Sequence, residues 1–238
     1  MTASPQRRIR ASRASEVQDA IKDIILERKL VAGDAMPTEY DLMGELGVSR
    51  NSVREALKAL QAVGIVEIRH GFGMFVGRMT LTGLVDELAF HGRINLHTGR
   101  NLGNLIEIRE VLESGLVERL IDDYADAELS EVADVVARME REAARGPVPP
   151  ETDRRFHEVL YGPMNNPLIG QLLGAFWDVY FQLQGSLGTP DETPEDVTRR
   201  HRDIYLAVVQ RDKAAARAAM TAHFDGVRSR LARLEAQA

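Results

Sequence analysis

Residues 36–77, MPTEYDLMGELGVSRNSVREALKALQAVGIVEIRHGFGMFVG, constrain this chain most, because their punctuation admits one order of elements: helix, tight turn, helix, β-hairpin. Thr38 stands where an N-cap is needed, after Pro37 and ahead of Leu42, Met43 and Leu46 at helical spacing. Gly47 allows the turn and Val48 tucks between the helices. Ser49 caps a second helix whose Val53, Ala56, Leu57, Leu60 and Val63 recur at steps of three and four. That stripe leaves Arg50, Asn51 and Arg54 on the solvent face, at the end of the helix where the dipole favours an anion. After Gly64, Ile65–Arg69 and Met74–Gly77 alternate as two short strands. The tip between them, with His70, Gly71 and Phe72, holds no acid.

The string resembles the winged-helix domain of the GntR family of bacterial transcription regulators. The matching residues are Met36-Pro37-Thr38-Glu39, Gly47-Val48-Ser49-Arg50, Val53-Arg54-Glu55-Ala56-Leu57, Leu60, Gly64, Gly71 with Gly73, and Val76. The resemblance implies that Arg50 and Arg54 contact bases or phosphates of double-stranded DNA, supported by Ser49 and Asn51. It also puts His70 and Gly71 at the wing tip. Tyr40 departs from the pattern, standing where the family often has an arginine, so one expected DNA contact changes here.

Charge is divided along the chain. Residues 1–78 hold twelve Lys and Arg against ten Asp and Glu; totals of thirty and thirty-six leave eighteen against twenty-six for residues 79–238. The half expected to meet phosphate is the positive one, and an acidic remainder discourages non-specific wrapping of DNA. No apolar run is long enough to span a bilayer and no charged-then-apolar leader is present, so a cytoplasmic protein without membrane attachment is expected. The absence of cysteine excludes disulfides, thiolate metal sites and cysteine nucleophiles.

Residues 1–14, with Arg7, Arg8, Arg10 and Arg13 and no acid, read as a flexible basic arm, either a plain tail or one that reaches a minor groove. Ser15–Lys29, with Val17, Ile21, Ile24, Ile25 and Leu26 at helical spacing, completes a winged helix-turn-helix over 15–78: three helices and a small wing. From 79 to 238 no strand pattern occurs. Amphipathic stretches at about 80–93, 101–124, 128–145, 151–162, 167–185, 194–211 and 213–235 predict an all-α bundle of six or seven helices. The sixth is well signed, with Thr193 as cap, Pro194 at the first position, and Glu195 and Asp196 in the first turn.

Three histidines of this bundle lie on the apolar stripes of their helices. His157 shares a face with Asp153, Phe156 and Leu160; His201 aligns with Val197, Ile204, Tyr205 and Val208; His223 sits among Met220, Phe224, Val227 and Leu231. Singly, each reads as a hydrogen-bonded core histidine. Together, three buried imidazoles and a carboxylate would cost several kcal/mol without a shared partner. A divalent cation is such a partner, and one carboxylate with three imidazoles suits zinc, nickel or manganese with positions left for a ligand.

The spacing D-x-x-x-H, a histidine about forty residues on and M-x-x-H near the end is similar to the FCD ligand-binding domain of the FadR subgroup. That resemblance implies that Asp153, His157, His201 and His223 hold a metal which binds a small carboxylate effector. It makes Arg109, in Glu107-Ile108-Arg109, the effector clamp, unless Arg109 simply pairs with Glu113 one turn away. It brings Asn166 to the pocket, unless Asn166 only caps a helix. The expected function is a homodimeric, ligand-responsive regulator, a repressor, on a palindromic operator. Two other readings remain: the ion is itself the signal, or the site is a metal-dependent enzyme.

Overall fold

Two caps fix the second helix. Thr38 accepts from Asp41 N while Asp41 accepts from Thr38 N, a reciprocal capping box that opens α2 (Glu39–Leu46). Gly47, at φ 61°, closes it in the left-handed region that disfavours a side chain. Before it comes α1 (Arg13–Glu27); after it Ser49 caps α3 (Arg50–Ala62) by accepting from Ser52 N. This geometry is that of a computed structural model, which describes residues 13–94, 100–124 and 129–236. Arg7, Arg8 and Arg10 of the expected basic arm lie outside the described residues, and Arg13 opens α1.

The chain divides into two units, Met1–Gly83 and Leu84–Ala238. In the first, Ile21, Ile25, Leu42, Val53, Leu57 and Leu60 pack with Met36, Val66 and Met74 into one core. Strands β1 (Val66–Arg69) and β2 (Gly73–Val76) pair antiparallel, Val66 opposite Val76 and Arg69 opposite Gly73. Two apolar residues expected in this core stand outside it. Leu26 is 71% exposed, about 100° of helix rotation beyond Ile25. Val63 is 66% exposed because α3 has already ended at Ala62.

The second unit is helical, with no strand among its described residues. Its helices are α4 (Thr82–Ile94, which begins at the boundary), α5 (Arg100–Asp123), α6 (Ser130–Ala143), α7 (Pro150–Tyr161), α8 (Pro167–Leu183), α9 (Pro194–Val209), α10 (Lys213–His223) and α11 (Asp225–Ala236). The stretch expected as one last helix is thus two, interrupted at Phe224. Its ring is buried; α10 packs on α5 and α9, whereas α11 packs on α5 and the short turn Gln184–Leu187. Apolar spacing runs through the joint unbroken and gives no sign of it. Ala216 and Met220 of α10 are fully buried; the small side chain lets α10 lie close to its neighbours. No helix of the described residues is long and apolar enough to cross a membrane.

Gly77 donates its N–H to Ile65 O at 2.8 Å, and a β-carbon there would overlap the Gly64 carbonyl. Gly77→Ala is therefore expected to destabilise the winged unit by about 1–3 kcal/mol. Thermal unfolding of the two proteins checks this, and an unshifted transition would show that the strand-to-loop approach tolerates a methyl group.

Candidate metal centre and nucleic-acid interface

Three helices bring the four expected ligands together. Asp153 and His157 lie one turn apart on α7, His201 on α9 and His223 at the end of α10, and one ligand atom from each falls within 4.8 Å of the others. The donors already made fix which nitrogens face inward. His201 Nδ1 donates to Val197 O at 2.8 Å, so in the neutral ring Nε2 presents a lone pair, 3.1 Å from Asp153 Oδ1. His157 Nδ1 donates to Glu113 Oε2 at 2.5 Å, and its Nε2, buried without a hydrogen bond, lies 3.4 Å from the same Asp153 oxygen. Lone pairs of two imidazoles thus converge on a carboxylate, an arrangement that repels unless a proton or a cation sits among them. The four residues fit a divalent ion, each of these rings holding its other nitrogen as metal-ligating histidines do.

Titration follows the same logic. Burial would raise the Asp153 carboxyl, but the His201 charge and the close approach of both histidine rings hold it well below its ordinary value. Burial pushes His223 well below the usual histidine range, and the neighbouring His201 and His157 push it further, so it stays neutral and able to ligate. Burial also opposes charge on His157, yet Glu113 and Asp153 outweigh it and raise it. A proton on His157 is what a metal ion would displace.

Glu113 is a member of this site that helical spacing shows only in part. Its distance of one turn from Arg109 is legible; its bond to His157, 44 residues away, is not. Arg109 Nε donates to Glu113 Oε1 at 2.6 Å, both residues being buried. Arg109 Nη2 is left buried without a hydrogen bond, and the residue lines a cavity of about 90 Å³ together with Asp153 and His223. Arg109 therefore makes the ion pair, keeps one donor unused, and borders the cavity. Asn166 does not reach it. Exposed, it caps α8 by accepting from Leu168 N at 3.1 Å and borders a separate cavity of about 320 Å³, so the capping alternative is the one its contacts support.

On the first unit, Ser49, Arg50, Asn51 and Arg54 are exposed along the start of α3, and His70 and Gly71 at the wing. Phe72 beside them is 82% exposed. A groove of about 650 Å³ runs between α3 and the wing, bordered by Glu39, Arg54, Lys58, His70, Gly71 and Phe72 among others. Glu39 was not singled out by sequence: its carboxylate accepts from Arg50 Nε at 3.2 Å and lies 3.6 Å from Arg54 Nε, holding both side chains on one surface.

Residues 13–76 match the family model "Bacterial regulatory proteins, gntR family", and residues 104–226 match the FCD domain. Over 209 residues the chain is 27% identical to the HTH-type transcriptional regulator LutR of Bacillus subtilis (strain 168), which covers 86% of this chain and 94% of the relative. It is 25% identical over 221 residues to the HTH-type transcriptional repressor NanR of Edwardsiella tarda (strain FL6-60), with 92% and 85% covered. The solved Streptococcus agalactiae GntR superposes with a TM-score of 0.65 at 27% identity, over 91% of this chain and 99% of that one. The chain belongs to the GntR family of bacterial regulatory proteins and carries an FCD domain, the pairing expected of the FadR subgroup. It is a DNA-binding transcription regulator, not an enzyme.

Burial favours a neutral Glu113, yet the charges of His157 and Arg109 bring its carboxyl from an ordinary 4.5 down to about 2. A depressed carboxyl stabilises the fold fully above 4.5 and loses that contribution as pH falls from 4.5 towards 2. Glu113→Gln should cost the metal-free protein about 3–5 kcal/mol at neutral pH. It should also make the acid limb of a stability-against-pH curve shallower, without abolishing it, since Asp153 titrates in the same sense. A variant as stable as the parent in urea titrations would remove Glu113 from its bridging role.

Proposed function

We propose that this regulator is a homodimeric repressor that senses a small organic acid through a divalent metal ion held by Asp153, His157, His201 and His223. One observation carries the reading: the Nε2 atoms of His157 and His201 both face Asp153 Oδ1, each ring's Nδ1 being engaged elsewhere. When bound, zinc, nickel or manganese would supply a Lewis-acid charge for a carboxylate oxygen. Arg109 would receive the acid through Nη2, kept in place by Glu113, as a guanidinium suits a carboxylate. In the winged unit Arg50 and Arg54 would meet bases or phosphates, Ser49 and Asn51 would support them, and His70 with Gly71 would enter a groove from the wing.

Dimerisation is supported by an apolar surface. Leu84, Phe90, Ile94, Ile108 and Val111 on α4 and α5 are exposed large hydrophobics, beside an apolar groove of about 400 Å³. A symmetric pair of such chains would read a palindromic operator. Repression is favoured by the likeness to NanR, whose name is that of a repressor. Acid and operator would be linked by a coupling of about 1–3 kcal/mol.

The division of labour is testable on an operator selected from random duplexes. His157→Ala should weaken zinc binding beyond the roughly 10–100-fold that outer-shell changes cause, and leave acid-free operator affinity unchanged. Arg54→Ala should do the converse, weakening the operator by about 1–3 kcal/mol with zinc binding intact. Loss of DNA binding in a folded His157→Ala protein would sink this assignment, as would an unaltered operator affinity in Arg54→Ala. If zinc alone releases the operator, the ion and not an acid is the signal.

A further inference from the structure

One arginine on the wall of the cavity beside the candidate metal centre has no carboxylate at ion-pair distance. Of the charged residues on its wall, Arg109 is bonded to Glu113, Arg200 is paired with Glu192, and Asp153 is shared by His157 and His201. Arg230, on α11, has no such partner among the described residues. It is 8% exposed, and it donates to neutral acceptors: Tyr180 Oη at 3.2 Å, Gln184 O at 3.2 Å and Gly188 O at 2.9 Å. Its Nε is buried with no hydrogen bond. Glu192 acts on Arg230 only at longer range. Its carboxylate is turned to Arg200 and seated against Gly226, where any β-carbon would overlap it.

A buried guanidinium without a carboxylate is costly, and the usual remedy is a counter-ion. We infer that Arg230 receives a second carboxylate, so that the effector is a short dicarboxylic acid. The inference rests on the proposed metal-and-acid reading of the same cavity and adds the class of acid. One carboxylate goes to the metal side, where Asp153, His223 and Arg109 line the wall and Arg109 Nη2 is unbonded; the other goes to Arg230. Size agrees: on the scale where one water needs about 10–15 Å³, a cavity of about 90 Å³ takes a molecule of a few carbons and two carboxylates. A plain monocarboxylate would leave the Arg230 charge unanswered. The competing role, a staple from α11 to the Gln184–Gly188 turn, accounts for Nη2, and Tyr180 of α8 accounts for Nη1; neither accounts for Nε.

Calorimetric titration of the zinc-loaded full-length chain with acids matched in carbon number separates these roles: succinate against butyrate, and malonate against propionate. The diacid of at least one pair is expected to bind about 10- to 100-fold tighter. Arg230→Gln should bring that diacid to the level of its monoacid and leave the monoacid unchanged; Arg230→Lys, which keeps charge and loses the fork, should fall between. Zinc stoichiometry and melting temperature, measured on each variant, report the fold. Equal binding of diacid and monoacid by the parent overturns this inference alone, as does an equal loss for both in Arg230→Gln, the mark of a mere staple. If zinc binds and none of the four acids does, the acid-sensing reading falls together with it.

Discussion

A single buried carboxylate, that of Glu113, organises the candidate metal centre of the helical unit. Placing an acid in a protein interior is expensive unless several donors meet it. Here Arg109 takes one oxygen and His157 the other, while Tyr161 Oη donates to the main-chain carbonyl of the same residue. Each bond has a directional consequence. With Nδ1 spent on Glu113, His157 can aim only Nε2 at Asp153; with Nε spent, Arg109 keeps Nη2 unbonded beside the cavity it borders. Orientation of a candidate metal ligand and of the proposed clamp therefore comes from one side chain on α5, and neither could be moved without disturbing the other.

Hydrophobic periodicity made the helices legible because burial of one stripe is what makes each of them stable. Thr38, Ser49 and Thr193 could be recognised as caps for an equally local reason, since their partners lie three residues on. The four candidate ligands were visible as polar residues on apolar stripes, a placement hard to explain by solvation. What escaped is non-local. The Glu113–His157 bond spans 44 residues, Arg230 looks like any basic residue of a terminal helix, and the interruption at Phe224 leaves apolar spacing undisturbed. Leu26 and Val63 mark the other limit, for periodicity says which face is apolar and not where a helix stops meeting its neighbours.

The DNA-binding half shows electrostatic arrangement on a surface. Glu39 stands among the very arginines expected to meet phosphate, which at first looks self-defeating. At these exposures such pairs contribute little to stability. Their effect is geometric: two long, flexible side chains are held on one surface, and in the proposed DNA contact a phosphate would have only to exchange with a weak internal partner. Tyr40 follows directly on Glu39 and is 81% exposed, so where the family often presents another cation this chain presents an aromatic ring.

The interruption at Phe224 has an evolutionary corollary. On one continuous helix, His223 and Arg230 would stand two turns apart on a common face, about 10 Å along its axis, with a fixed separation. Split between α10 and α11, they belong to segments that meet at the buried Phe224, with Arg228 Nη2 donating back across the joint to Thr221 O. Substitutions at that joint could widen or narrow the chamber for longer or shorter molecules while the coordinating atoms stay as they are. Selectivity for effector length and capacity for metal would then be inherited separately.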